Sequence, residues 1–214
     1  MSIATRVKER IAEQTGAAPR WRWYHGVAFY MIVQALTFGL SGLTSLVSGN
    51  HGKDLWEDLF GNVDYFRELK QSIFSPPSWV FGPAWTINNI SVIIGTWRVL
   101  NMPRNTTGRK AFLAVQGASW LNYVLFNAAY FSLRSPINAF ILTLSMFVLT
   151  IASGFIAIFR MRDSRVALSL ATLFVWLLIA LTAGGFQAAW NYDDLYHAGP
   201  FFKANRKLLK QIAN

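Results

Sequence analysis

The sequence contains no cysteine and few charged residues. Among its 214 residues the absence of Cys excludes disulfide bonds, thiol catalysis and cysteine-ligated metals. Asp, Glu, Lys and Arg together make up 14% of the chain, whereas soluble domains carry roughly 25%. Basic residues outnumber acidic ones, which gives a formal net charge of +10. The shortage of charged residues indicates a membrane protein.

Hydrophobic residues make up 53% of the chain and concentrate in five segments. A hydrocarbon core of about 30 Å requires about 20 helical residues. The segments, 24–47, 79–100, 111–133, 137–159 and 166–190, each reach that length. The sequence therefore predicts an all-α membrane bundle of five transmembrane helices over residues 24–191. A basic amphipathic N-terminal segment, 1–23, and a basic amphipathic C-terminal tail, 192–214, flank it.

Acidic residues are absent from all five segments, which argues against a proton relay or an ion pump. The sequence shows no nucleophile–base pair, no phosphate loop and no general acid–base pair, so a catalytic function is not favoured. The three histidines are dispersed and predict no metal site. The basic residues lie between and beyond the apolar segments, where they suit a lipid bilayer rather than nucleic acid.

The distribution of Lys and Arg predicts the orientation. The N-terminal segment and the connections after the second and fourth segments share one side and are the richer in basic residues. The positive-inside rule then places the N-terminus in the cytoplasm, and we expect a bacterial membrane. The long first connection, 48–75, predicts a folded cap over the bundle mouth. In the tail, Phe201, Leu208, Leu209 and Ile212 share one face, which predicts an interfacial helix.

Polar and aromatic side chains recur at helical spacing and predict the inner faces. Two interpretations of these stripes stay open: a pocket lined by rings and amides, or contacts that hold helices together. The fourth segment offers only Thr143, Thr150 and Gly154, so we expect it to face the most lipid. The other stripes are Gln34, Ser41, Ser45 and Ser48; Phe81, Trp85 and Asn89; Gln116, Trp120, Tyr123, Asn127 and Tyr130; and Trp176, Ala180, Ala183, Gln187 and Trp190.

The second segment begins with an unusual motif: Pro76-Pro77-x-Trp79-x-Phe81-Gly82-Pro83-x-Trp85-Thr86. This motif resembles the signature of the TspO/MBR family, the translocator protein or tryptophan-rich sensory protein. The resemblance implies a five-helix bundle, often dimeric, that binds porphyrins or sterol-like molecules in a pocket closed by the first loop. Along the presumed lining the chain differs from the family: Asn89 replaces a Tyr, Phe126 a Trp and Gly184 an Asn.

The stripes and the resemblance together predict a site for a flat apolar ligand, which would be a porphyrin, another tetrapyrrole or a sterol-like molecule. The protein would then have a role in transport, sensing or regulation. No cofactor is required. Porphyrin photodegradation, which the resemblance implies, would involve Trp85 and Trp176. The alternative is an accessory subunit of a larger photosynthetic or respiratory membrane complex. The predicted ligand-binding residues are Pro76, Pro77, Trp79, Phe81, Trp85, Asn89, Tyr123, Phe126, Asn127, Trp176 and Gln187.

Overall fold

The protein is helical throughout the residues described by its computed structural model, which are 21–50 and 63–210. These residues contain no β-strand, only two isolated bridges. The helices are α1 (Trp23–Ser48), α2 (Val63–Glu68), α3 (Ser78–Leu100), α4 (Arg109–Asn127), α5 (Pro136–Phe155), α6 (Ser164–Leu168) and α7 (Ala171–Trp190). A π-helical turn follows α4 at Ala128–Ser132, and another follows α5 at Ile156–Arg160.

Each of the five predicted segments coincides with a helix to within about two residues, and the fifth is divided between α6 and α7. Three helices in the described part of the chain are long and apolar enough to cross a membrane: Trp23–Ser48, Pro136–Arg160 and Ser164–Trp190. The α3 and α4 helices are long enough but less apolar, because they carry amide side chains such as Asn88, Asn89 and Gln116. The all-helical fold with candidate membrane spans is therefore confirmed, whereas the count of five transmembrane helices stays a prediction.

Serine side chains join α1 to the end of α4. Ser45 Oγ donates to Ser132 Oγ at 3.0 Å, and Ser48 Oγ donates to the Ser132 carbonyl at 3.0 Å. Ser132 Oγ in turn donates to the Ser41 carbonyl at 3.0 Å. These hydroxyls satisfy one another between two helices, so this stripe of the first segment serves helix contact.

The expectation that the fourth segment faces the most lipid is wrong. In the most apolar window of each helix, 28% of the residues are buried on α5 but only 17% on α1. Small residues let α5 pack between α4 and α7, and its two buried threonines need no partner from another helix. Thr143 Oγ1 donates to the Ala139 carbonyl, and Thr150 Oγ1 to the Met146 carbonyl.

The α3 helix approaches α6 closely at Gly95. A Cβ atom at this position would overlap the Ser169 side chain, whose own Cβ would lie 2.9 Å away. One turn earlier, Ser91 Oγ donates to the Ser169 carbonyl at 2.7 Å. Near the end of α3, Arg98 Nε donates to Asp163 Oδ2 at 2.7 Å. Asp163 also caps α6 by accepting from two backbone amides.

The described part of the first connection packs over one end of the bundle. Tyr65, Phe66 and Leu69 are buried in a cluster with Tyr130 and Ala139. This packing agrees with the predicted cap for residues 63–75. The remainder of the cap, 51–62, lies outside the described residues, as do 1–20 of the N-terminal segment and 211–214 of the tail.

The C-terminal tail does not form the predicted interfacial helix over its described residues, up to Lys210. Instead it pairs with the first connection. The Ile73 amide donates to the Leu208 carbonyl at 2.8 Å, and the Lys210 amide donates to the Gln71 carbonyl at 2.8 Å. Lys210 Nζ also donates to the Ser75 carbonyl at 3.0 Å. Backbone pairing with an extended partner is incompatible with helical hydrogen bonding, which explains the difference.

We expect Gly95→Ala to lower the free energy of unfolding by about 1–3 kcal/mol, since the added methyl forces α3 away from Ser169. Gly154→Ala is the matched control, because a Cβ there meets no atom within 4 Å. Alanine is the better helix former by about 1 kcal/mol, so the control should be neutral or stabilising. Thermal unfolding in detergent measures both. Equal behaviour of the two variants would contradict the close approach.

The Asp163 carboxylate should make the free energy of unfolding depend on pH. Burial raises its pKa, but the hydrogen bonds from Arg98 and from the Val166 and Arg165 amides outweigh this and hold the pKa below its usual value. A lowered folded-state pKa gives stability that is complete above the ordinary carboxyl pKa and is lost as the pH falls through the folded value.

At neutral pH we expect Asp163→Ala to cost about 1–2 kcal/mol, largely through the lost helix cap. Asp163→Asn should cost less, because the amide oxygen can still cap α6 and Arg98 is too exposed to form a strong ion pair. As the pH falls, the free energy of unfolding of the wild type should approach that of Asp163→Asn. Denaturant titrations across pH measure this, and a gap that persists at low pH would contradict the assignment.

Candidate functional site

A cavity of about 370 Å³ lies between α1, the start of α3 and the end of α4, next to the cap. We call it the first cavity. None of its described lining residues carries a charge, and most are aromatic. Pockets for small apolar ligands have this composition, and their volumes run from about 300 to 1,000 Å³. The lining consists of Tyr30, Gln34, Phe38, Phe66, Ser78, Phe81, Gly82, Trp85, Thr86, Tyr123, Phe126, Asn127, Tyr130 and Phe131.

The proline-rich motif builds one wall of the first cavity. Pro77 is the N-cap of α3, with φ −58° and ψ 145°, so the chain is extended up to Pro77 and helical from Ser78. Phe81 and Trp85, one helical turn apart, then face the same way. Gly82 lies at the outer rim between them, and a Cβ at Gly82 would meet open space. The rim therefore leaves the cavity open on the outer surface of the bundle.

A hydrogen-bonded bridge crosses the bundle at the base of the first cavity. Asn89 Nδ2 on α3 donates to the Tyr123 hydroxyl on α4 at 3.1 Å. The same hydroxyl donates to Gln34 Oε1 on α1 at 2.9 Å. One phenol thus joins three helices. We call these three residues the Tyr123 bridge.

Aromatic contacts support the wall from behind. The Phe81 and Trp176 rings meet edge to face with centroids 5.4 Å apart, and the Trp85 and Trp176 centroids are 6.3 Å apart. Nearer the cap, the Tyr130 hydroxyl donates to Gln187 Oε1 at 2.8 Å. Trp176 Nε1 and Gln187 Nε2 are buried without a hydrogen-bond partner. These orphaned donors lie in the layer behind the cavity.

The eleven predicted site residues separate into three groups. Phe81, Trp85, Tyr123, Phe126 and Asn127 line the first cavity. Asn89, Trp176 and Gln187 are buried behind it and act through the lining residues that they contact. Pro76, Pro77 and Trp79 do not line it, and three quarters of the Trp79 side chain is exposed on the outer surface.

The predicted site residues omit nine lining residues, including all three on α1. Tyr30, Gln34 and Phe38 follow one another every four residues and so share a face. The same spacing argument could have found them, but the sequence analysis grouped Gln34 with the serines that contact Ser132. Phe66 comes from the cap, and its position depends on how the connection folds. No local pattern could have supplied it.

The buried carboxylate of Asp193 has a structural role. The Asp193 carboxylate is 1% exposed and accepts from the Ser135 hydroxyl and from the amides of Ile137, Leu195 and Tyr196. It organises the turn after α7. No group of three or more His, Asp or Glu suitable for a metal occurs among the described residues.

A larger, open groove lies at the connection between α3 and α4. Its volume is about 570 Å³, and Arg104, Lys110 and Arg160 contribute to its lining. It is formed largely by loop residues at the helix ends. Its basic, open character suits contact with the membrane surface, whereas the first cavity is uncharged and lined mostly by aromatic rings.

Comparison with curated proteins returns no match for the chain. The sequence profile of the TspO/MBR family matches residues 29–184, which include the proline-rich motif and all fourteen residues that line the first cavity. The match covers well over half of the chain and carries the motif that forms the cavity wall. This protein is a member of the TspO/MBR family.

Proposed function

We propose that this membrane protein binds a flat apolar molecule of the porphyrin, tetrapyrrole or sterol class in the first cavity. The observation that carries the proposal is an uncharged, ring-lined cavity of about 370 Å³ at the place where the family's motif begins α3. Its rings offer edges and faces to a planar ligand. Ser78, Thr86 and Asn127 offer a few polar atoms to the ligand's edge.

The open side of the first cavity suits a ligand with charged groups at one edge. No described lining residue could neutralise a carboxylate, so the propionates of a porphyrin would remain at the rim near Gly82. Binding of this kind would serve transport, sensing or regulation. Trp85 on the wall and Trp176 behind it are the residues that light-driven degradation of a bound porphyrin would involve.

We further propose that α1, α3, α4, α5 and the α6–α7 unit each cross the bilayer, with the N-terminus in the cytoplasm. The lower hydropathy of α3 and α4 is consistent with this, because their amides face other helices. Asn88, Asn89 and Gln116 are each at most 5% exposed. Arg98, Arg160 and Arg165 then lie on the cytoplasmic side, as the positive-inside rule requires.

The accessory-subunit hypothesis stays a prediction. The two amphipathic tails and the altered residues along the presumed lining motivate it, but residues 208–210 pair internally with the first connection. Phe201 and Phe202 remain more than half exposed and could contact lipid, a second copy or a larger complex. Native mass spectrometry of gently extracted protein distinguishes these cases. A stable hetero-complex would favour the accessory role, and a monomer or homodimer would remove it.

The first experiment is a titration with protoporphyrin IX in detergent, followed by quenching of tryptophan fluorescence. We expect saturable quenching in the wild type and at least about tenfold weaker binding in Gly82→Leu, which is about 1.4 kcal/mol. The leucine would fill the rim without overlapping another atom at its Cβ. Gly184→Leu is the control, because a Cβ there also meets open space but the residue does not line the cavity. Equal affinity in all three proteins would contradict the proposed site.

The second experiment removes the hydroxyl of the Tyr123 bridge. Tyr123→Phe leaves Asn89 Nδ2 and Gln34 Oε1 without their shared partner. Interhelical hydrogen bonds of this kind contribute about 0.6–2 kcal/mol in membrane proteins. We expect a loss of that size in unfolding free energy together with weaker porphyrin binding, since α1 and α3 are no longer held at the base of the cavity. Tyr24→Phe, at an outward-facing position, is the control, and equal losses in the two variants would count against the bridge.

A further inference from the structure

The open groove at the connection between α3 and α4 lies at the end of the bundle away from the cap. One wall is the α3–α4 connection with the first turn of α4, and the other is the end of α5 with its π-helical turn. Its volume is about 570 Å³. Arg104, Lys110 and Arg160 supply its charge, and none of its described lining residues is acidic. We call it the basic groove.

The two walls of the basic groove are in direct contact at Gly108. This residue is the N-cap of α4 and has a φ of +84°, a left-handed conformation that favours glycine. A Cβ atom at Gly108 would lie 2.9 Å from Arg160 Cβ and 3.1 Å from Met161 Cγ. The connection therefore packs against the turn after α5 as closely as a residue without a side chain allows, and the fold itself shapes the groove.

The π-helical turn Ile156–Arg160 brings the third cation to the basic groove. The Met161 amide donates to the Ile156 carbonyl at 2.9 Å, and the Asp163 amide donates to the Ala157 carbonyl at 2.9 Å. Because a π turn holds more residues than an α turn, it shifts the side chains that follow it around the helix axis. Turns of this kind are frequent at functional sites. Arg160, the last residue of the turn, lies in the lining of the groove.

The positive charge of the basic groove is not neutralised by the described residues. The ion pairs among them are Arg67–Asp64 and Arg98–Asp163, and neither involves a cation of the groove. All three of these cationic side chains are exposed. In contrast, Arg109 in the same turn of α4 donates to two backbone carbonyls at the end of α3. The charge of the groove is therefore available to an anionic ligand.

Exposed apolar side chains on α5 and its π-helical turn adjoin the basic groove. Phe155, Ile158 and Phe159 are 58%, 50% and 61% exposed, and Phe155 also lines the groove. The Phe155 and Phe159 ring centroids are 4.6 Å apart. The stretch Pro136–Arg160 is long and apolar enough to cross a membrane, so its last residue would lie at the level of the lipid headgroups. Cations at that level continue into a surface that suits acyl chains.

Charge and position together select the occupant. Basic pockets between membrane helices bind anionic lipid headgroups, and a phosphate accepts charge-assisted hydrogen bonds from Arg and Lys. A zwitterionic lipid has the same phosphate, but the groove would repel its choline cation. A soluble phosphate compound would gain nothing from the exposed rings of Phe155 and Phe159. A phosphate joined to acyl chains satisfies both parts of the surface.

We propose that the basic groove binds the headgroup of an anionic phospholipid. The phosphate pairs with Arg104, Lys110 and Arg160, and an acyl chain lies along Phe155 and Phe159. This inference goes beyond the proposed function, since the groove is at the other end of the bundle and needs no ligand in the first cavity.

The test is native mass spectrometry of the full-length protein in a neutral detergent. The protein is titrated with phosphatidylglycerol or with phosphatidylcholine of identical acyl chains. We expect one saturable phosphatidylglycerol adduct that forms with at least about tenfold higher affinity than the phosphatidylcholine adduct, because the groove holds three cations without an acidic partner. Equal affinity for the two lipids, or adducts that accumulate without saturation, would overturn the proposal.

Glutamine variants locate the site. Arg160→Gln and Arg104→Gln remove one charge from opposite walls, and each should weaken phosphatidylglycerol binding several-fold with little change in phosphatidylcholine binding. Arg165→Gln is the matched control, because Arg165 is exposed at the same end of the bundle but does not line the groove. It should leave binding unchanged. Equal losses in all three variants would show attraction to general positive charge and overturn the proposal. Thermal unfolding in detergent shows whether each variant remains folded.

Glycerol phosphate distinguishes a lipid from a soluble phosphate compound. At the same concentration as the lipid it should not displace phosphatidylglycerol, because it has the phosphate but no acyl chain. Displacement at equal concentration would assign the groove to a soluble ligand and overturn the proposal. A failed porphyrin titration changes none of these results, so the two proposals fail separately.

Discussion

A polar side chain on a membrane helix must find its partner within the protein, because lipid offers none. In this protein the Tyr123 bridge meets that requirement for three helices through one hydroxyl. Elsewhere polar side chains pair between two helices, as when Gln116 donates to Ser153 or Tyr130 to Gln187, although Gln116 Oε1 and Gln187 Nε2 have no partner. The positions of the helices follow from these pairings, since hydrophobic residues can face lipid or protein at nearly equal cost.

The same requirement decides which stripes become contact and which become cavity. Serines are short, so the hydroxyls of Ser45 and Ser132 bring α1 and α4 into direct contact. Aromatic rings are large, so helices that carry them cannot approach one another as closely. Where Phe81 and Trp85 on α3 and Phe126 on α4 face α1, a space of about 370 Å³ remains. The stripes therefore contain residues of both kinds, serines that join two helices and rings that border a cavity. Side-chain size separates them.

Sequence reasoning located the helices well and the site in part. The bounds of the long helices follow from hydrophobic length and from Pro77 and Pro136, which determine where α3 and α5 begin. The burial of α5 was not predictable from polar content, because Thr143 and Thr150 bond to their own helix and Ala139 and Ser153 simply allow close packing. The prediction of an interfacial helix in the tail was wrong for a different reason. The tail pairs with residues 71–73, which are distant in sequence, and helical periodicity carries no information about such a contact.

The Tyr123 bridge also marks the base of the first cavity. A second space, of about 210 Å³, lies between the beginning of α1, the last turns of α3 and the first half of α4, at the other end of the same three helices. The bridge and the edge-to-face pair of Phe29 and Trp120, with centroids 5.1 Å apart, lie between the two spaces. One hydroxyl that pairs with two amides therefore joins three helices and separates the aromatic cavity next to the cap from the space at the opposite end.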